Sequence, residues 1–216
     1  MPTILVTGFG PFPGAPYNPT IKLVHALAKL RRPALAETRI VTHVFETSYA
    51  AVDRELPALI AQHKPDALLM FGLHSRAKAI RIETRARNAL ALLPDATGKV
   101  LRRGVIAPDG AAARTMPMPA RRLLAAAHEA NVPSVLSRDA GRYLCNYLCW
   151  RVSLSGVRLA AFVHVPKVAR FARPLKKELD PRLRGDDRNL RRFTAADLAR
   201  VGEKVLVALN AAVNRT

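Results

Sequence analysis

Ala67-Leu-Leu-Met-Phe-Gly72 is the stretch that decides the fold. Five apolar residues in succession, closed by a glycine, make a strand covered on both faces, because a half-exposed strand would alternate with polar residues. Reading back from it, Thr47–His63 is a helix with Thr47 or Ser48 as cap, Val52, Leu56, Leu59 and Ile60 on one face, and Pro65 beyond its end. Arg39–Phe45 (RIVTHVF) is a second strand. Asn18-Pro19 supplies a cap followed by a proline in the first turn of a helix, in which Ile21, Val24, Leu27 and Ala28 recur at helical spacing as far as Arg31. Pro2–Thr7 (PTILVT) is a buried strand closed by Gly8. The alternation βαβαβ predicts an α/β fold, a three-layer α/β/α arrangement around a largely parallel, mixed central sheet. Ligands of such sheets sit beyond the carboxyl ends of the strands, so Phe9–Tyr17 and Leu73–Lys78 are expected to line one crevice.

Reading forward, Pro94–Pro119 is irregular, rich in Pro, Gly and Ala, with an extended piece expected over Val100–Ile106. A helix over Ala120–Asn131, a strand over Val135–Ser137, a helix over Leu144–Ser155 and a strand over Leu159–Val165 follow. The last helix starts at Thr194, which with Asp197 imitates a capping box, and runs to about Asn214. The 216 residues, half of them hydrophobic, suffice for one core, so the whole chain is expected to be a single domain with a basic segment, 167–193, before the C-terminal helix.

The net charge of +19 brings nucleic acid and acidic ligands into consideration. The segment Lys167–Phe193 carries ten Lys/Arg against four Asp/Glu, and the remaining excess is spread along the chain. Aromatic residues are scarce, at 6%, and no zinc-finger spacing, RNP-like motif or helix-turn-helix pattern accompanies the charge, so a solvated arginine-rich surface is expected rather than a nucleic-acid partner. The N-terminus has no basic leader and Ile4-Leu-Val6 is too short to span a membrane. Two cysteines four residues apart form no disulfide framework and fit a reducing, cytoplasmic location.

Cys145 follows the glycine turn Asp139-Ala-Gly-Arg-Tyr-Leu144 at the start of a helix, where unpaired amides and the helix dipole favour a thiolate and can receive an oxyanion. Cys145, Leu148, Cys149 and Val152 also share a helical face, so the residues alone leave Cys145 between core and nucleophile, while mid-helix Cys149 reads as core. His164 ends the strand Leu159–Val165 at the crevice, and His74 is its only rival. Glu83, in Ile80-Arg-Ile-Glu-Thr-Arg85, reads either as a surface ion-pair partner or as the carboxylate that orients a histidine.

These residues resemble the pyroglutamyl (pyrrolidone-carboxyl) peptidases. The similarity is carried by Thr7-Gly-Phe-Gly-Pro-Phe12 with Asn18-Pro19, by Asp139-Ala-Gly-Arg-Tyr-Leu-Cys-Asn146, by Phe162-Val-His-Val-Pro166, and more loosely by Glu83 with Asn88 and by Gly110–Met118. The resemblance implies a cysteine exopeptidase that needs no metal or cofactor and releases an N-terminal pyroglutamyl residue from peptides. Cys145 would be the nucleophile, His164 the acid/base and Glu83 the orienting carboxylate. Phe9 and Phe12 would form an apolar slot for the ring, Asn18 would join them in binding substrate, and backbone amides near Leu73 would bond the lactam. Homo-oligomers are found in the family. The chain departs from the pattern at Gly72-Leu-His-Ser-Arg76, at Asn88–Pro94, where leucine stands in place of the family's arginine before an Ile-Pro pair, and at Lys167-Val-Ala-Arg170. The alternative reading is a divergent, inactive or re-specialised homologue that binds acidic ligands or nucleic acid.

Overall fold

The computed structural model describes residues 1–168 and 193–215, so most of the basic segment 167–193 lies outside the described residues. Six strands form one sheet in the order β2-β1-β3-β8-β4-β7. β1 (Thr3–Phe9) pairs in parallel with β2 (Arg39–Phe45) and β3 (Ala67–Leu73), and β3 pairs in parallel with β8 (Leu159–Val165). β4 (Ile80–Glu83) runs antiparallel to β8 and parallel to the edge strand β7 (Ser134–Ser137). The sheet is therefore parallel apart from one junction, and that junction faces His164.

Side-chain alternation divides the sheet into two packed faces. Ile4, Val6, Leu69, Phe71, Ile80, Ile82, Val163 and Val165 meet α1 (Pro19–Ala28), α3 (Ala120–His128) and α5 (Ala195–Val213). Leu5, Leu68, Met70, Ala160 and Phe162 meet α2 (Tyr49–His63) and α4 (Leu144–Ser153) on the other side. Both faces of β3 are covered, as its unbroken apolar run requires. Thr194 caps α5 in a full capping box with Asp197. Among the described residues, no helix is long and apolar enough to cross a membrane.

The irregular segment differs from expectation. Val100–Ile106 forms no strand; the extended pieces are instead β5 (Arg85–Arg87) and β6 (Ala113–Thr115), paired antiparallel as a small second sheet. The reason lies in two side chains that take the place of a partner strand. Asn88 accepts from the amides of Ile106 and Ala107 and donates to the carbonyls of Ala107 and Gly110. Asp95, fully buried, accepts from the amides of Thr97 and Lys99, from the Thr97 hydroxyl and, at 3.1 Å, from the Tyr49 amide in the first turn of α2. Asp95→Ala would strand those amides and should cost about 2–3 kcal/mol in denaturant unfolding.

Helix ends are shorter than their apolar spacing suggests. α1 stops at Ala28 rather than Arg31, and α3 stops at His128 rather than Asn131, which adopts a left-handed φ of 53°. The hydroxyls of Ser153 and Ser155 bond carbonyls of the last turn of α4, which ends at Ser153 rather than Ser155.

Candidate active site

β4 places the acid. Arg81 lies opposite His164 and Glu83 opposite Phe162 across the antiparallel ladder, so residues 81, 83, 162 and 164 project from one face, the face that α4 covers. Glu83 is fully buried and its Oε1 accepts from Nδ1–H of His164 at 2.9 Å, with His164 only 3% exposed. The salt-bridged carboxylate is thus a buried partner of the histidine and not the surface ion pair that an arginine-rich neighbourhood suggests.

Gly72 places the thiol. It lies in register with His164 on β3, and a methyl group there would sit 2.7 Å from Cys145 Sγ and 2.7 Å from the Phe162 ring. The missing side chain is the space that the sulfur occupies, directly beside the imidazole. Cys145 and His164 are accordingly on the same side of the sheet, with the thiol beside the imidazole. With Nδ1 committed to Glu83, Nε2 is the ring nitrogen left for that contact.

The turn before α4 is built to present Cys145. Gly141 holds φ at 81°, a left-handed conformation natural to glycine, and its amide donates to Asp139 Oδ1 at 3.0 Å. No side chain caps α4, so the amides of Leu144, Cys145 and Asn146, in the turn that carries the thiol, have no intrahelical acceptor. Asn146, with its side chain fully buried, donates to the carbonyls of Arg87 and Ala89 and accepts from the Arg87 amide, clasping α4 to β5.

Burial alone would make His164 less basic. The neighbouring Cys145 and the bond and charge of Glu83 outweigh it and raise the histidine to about 9. Burial pushes the Cys149 thiol well up, reinforced by the nearby Cys145 and Glu83, which keeps it a protonated core residue. His74, on the loop after β3, stands edge-on to His164 with ring centroids 5.5 Å apart, and burial followed by the charges of His164 and Arg81 lowers its basicity.

The expected substrate residues separate. Phe12 has its ring 6.1 Å from that of Tyr143, the residue two before Cys145, whose hydroxyl donates to the Pro94 carbonyl. Phe9 is 2% exposed and packs on Phe45, a core position instead of an open slot wall. Asn18 spends its side chain on the fold, donating to the Gly10 carbonyl and accepting from the Thr20 amide and hydroxyl. Leu73 remains in register with Val165, and the next amide, of His74, already donates to the Val165 carbonyl at 2.9 Å, so it is not free for a lactam. Tyr143 and Arg81 are site-lining residues that spacing alone does not single out. Tyr143 stands directly before the cysteine helix, which is the signal that could have found it.

A three-layer α/β/α fold that seats a helix-start thiol beside a carboxylate-held imidazole defines the class of thiol hydrolases. The model of the pyroglutamyl peptidase family matches residues 2–184, and the chain belongs to that family. It is 31% identical over 172 residues to the pyrrolidone-carboxylate peptidase of Clavibacter michiganensis, covering 77% of this chain and 79% of that one. It is 30% identical over 188 residues to that of Deinococcus radiodurans, covering 84% and 85%. The fold superposes on a point variant of the pyrrolidone carboxyl peptidase from Pyrococcus furiosus with a TM-score of 0.77 at 26% identity, over 99% of both chains. It also matches pyroglutamyl peptidase I of Bacillus amyloliquefaciens at a TM-score of 0.78 and 22% identity, over 98% of both chains, a likeness of fold.

Proposed function

We propose that this protein is a cysteine exopeptidase that removes N-terminal pyroglutamate from peptides, using Cys145, His164 and Glu83. The observation that carries it is the thiol seated over Gly72, beside a histidine whose Nδ1 is held by buried Glu83. The Cys145 thiolate attacks the acyl carbonyl, and the developing oxyanion is met by the unpaired amides at the start of α4. The His164 imidazolium then protonates the departing amine. Neutral His164 next removes a proton from water, which attacks the thioester and frees the acid and the thiol. Glu83 fixes the tautomer and orientation of the imidazole throughout. Phe12 and Tyr143 are the rings available to flank the apolar face of the lactam. Two free cysteines suit a reducing compartment such as the cytoplasm.

The test is release of a fluorophore from pyroglutamyl amide beside the corresponding prolyl and alanyl amides. Strong preference for the pyroglutamyl amide is expected; absence of turnover, or equal turnover of all three, would sink the assignment. The alternative of a non-hydrolysing binder of acidic ligands or nucleic acid rests on the net charge and the altered loops, and no side-chain arrangement described above favours it.

The pH dependence follows from His164. Because its proton is needed by the leaving amine, kcat/KM should fall above about pH 9. The same group links to stability: a histidine raised from 6.5 to about 9 stabilises the fold fully below pH 6.5, and the contribution is lost as pH rises through about 9. An alkaline limb centred near pH 7 would contradict the assigned pair.

A further inference from the structure

Arg81 is two residues from Glu83 on β4 and directly across the ladder from His164, so all three side chains share the α4 face. Its Nε donates to Glu83 Oε1 at 3.3 Å, the same oxygen that accepts from His164. Its Nη2 donates to Ser137 Oγ at 2.7 Å and reaches the Asp139 carbonyl at 3.5 Å. Ser137 Oγ in turn accepts from the Asp139 amide at 3.2 Å. One guanidinium therefore joins the buried carboxylate to the turn that delivers Cys145. The other carboxylate oxygen, Glu83 Oε2, is buried with no protein partner, so Oε1 alone anchors the group, and Arg81 is the second of its two donors.

We propose that Arg81 is a positioning residue of the peptidase reaction: it holds Glu83 in line with His164, fixes the acid relative to the cysteine-bearing turn, and sets the electrostatic balance of the pair. The proposal rests on the Cys145–His164–Glu83 reading. A planar fork can bond Glu83 and Ser137 together, whereas a lysine carries the charge at a single point. The charged and titratable groups around His164 are Glu83 and Arg81 from β4, Cys145 and Cys149 from α4, and His74 from the loop after β3. Asp139, on the turn, is occupied by Arg87 at 3.1 Å. Arg81 is thus a fixed cation beside this pair, and its charge helps to lower the basicity of His74.

The experiment is kcat, KM and the pH profile of pyroglutamyl amide hydrolysis for Arg81→Gln, Arg81→Lys and Ser137→Ala, with active sites counted by thiol titration. Arg81→Gln should lower kcat about 10- to 100-fold with KM within about two-fold, since misplaced catalytic groups weigh on the chemical step. Its alkaline limb should move up, because a like charge beside the imidazolium is gone. Arg81→Lys should leave the limb in place and recover part of kcat. Ser137→Ala, which frees one end of the fork and keeps the charge, should lower kcat a few-fold without moving the limb, and it tests the bridge even where Arg81→Gln folds poorly. An Arg81→Gln enzyme with wild-type kcat, or one whose loss of kcat comes with an unmoved limb, overturns the proposal, as does wild-type kcat in Ser137→Ala. Failure of the underlying reading shows separately, as undiminished activity in Glu83→Gln.

Discussion

Cys145→Ala should reduce hydrolysis of a pyroglutamyl amide by about 10⁴-fold or more, while Cys149→Ala stays within about ten-fold of the wild type. The two cysteines are one helical turn apart on α4 and differ in everything that governs thiol chemistry. Cys145 is partly exposed and lies over Gly72, next to His164. Cys149 is fully buried among apolar neighbours, and its thiol is held protonated. Alanine at 145 removes the atom that forms the thioester, so no positioning elsewhere can compensate. Alanine at 149 leaves a small cavity beneath the site and should appear mainly as lost stability, about 1–2 kcal/mol for one buried sulfur. Comparable activity in the two variants would end the assignment of the nucleophile, and so would a Cys149→Ala enzyme as inactive as Cys145→Ala when its folded fraction is normal.

Gly72→Ala should lower kcat about 10²-fold or more, although it adds one methyl group and removes no catalytic atom. The added carbon would lie 2.7 Å from both the sulfur and the Phe162 ring, closer than real contacts allow, so something must move. Phe162 is enclosed in the core beside His164, with ring centroids 5.0 Å apart, which leaves the thiol as the more mobile neighbour. Displacing a nucleophile by about 1 Å is enough to lose roughly two orders of magnitude. The loss should fall on kcat, accompanied by slower alkylation of Cys145 by iodoacetamide. Unchanged alkylation and turnover would show that the sulfur does not need this space.

The parallel part of the sheet is legible because apolar runs such as Ala67–Phe71 and Leu159–Val165 have few alternatives once both faces are covered. The capping box of α5 is equally local, and Thr194 and Asp197 form it as their spacing indicates. β4 is not legible: Ile80-Arg-Ile-Glu83 has alternation over only four residues, and its antiparallel pairing with β8 is a long-range choice that no local pattern encodes. The same holds for 94–112, whose shape is dictated by what Asn88 and Asp95 bond across the chain. Cys145 and His164 could be found from element ends, because a helix start and a strand end are local features. Glu83 could not be distinguished from a surface acid without the motif, since its burial depends on that unreadable strand. Asn18 and Phe9 show the opposite hazard: residues inside a recurring motif whose side chains serve the loop and the core.

The reversed direction of β4 has an implication for how this chain tolerates insertions and deletions. Changes of length between Ser75 and Ala79, a partly exposed crossing, should be tolerated by the fold, since the strand that follows is held by its neighbours β7 and β8. A slip of a single residue within Ile80–Glu83 is a different matter: it would turn the carboxylate toward α3 and α5 and bring an isoleucine to the imidazole. Homologues of variable connector length should therefore share an invariant phase for this strand.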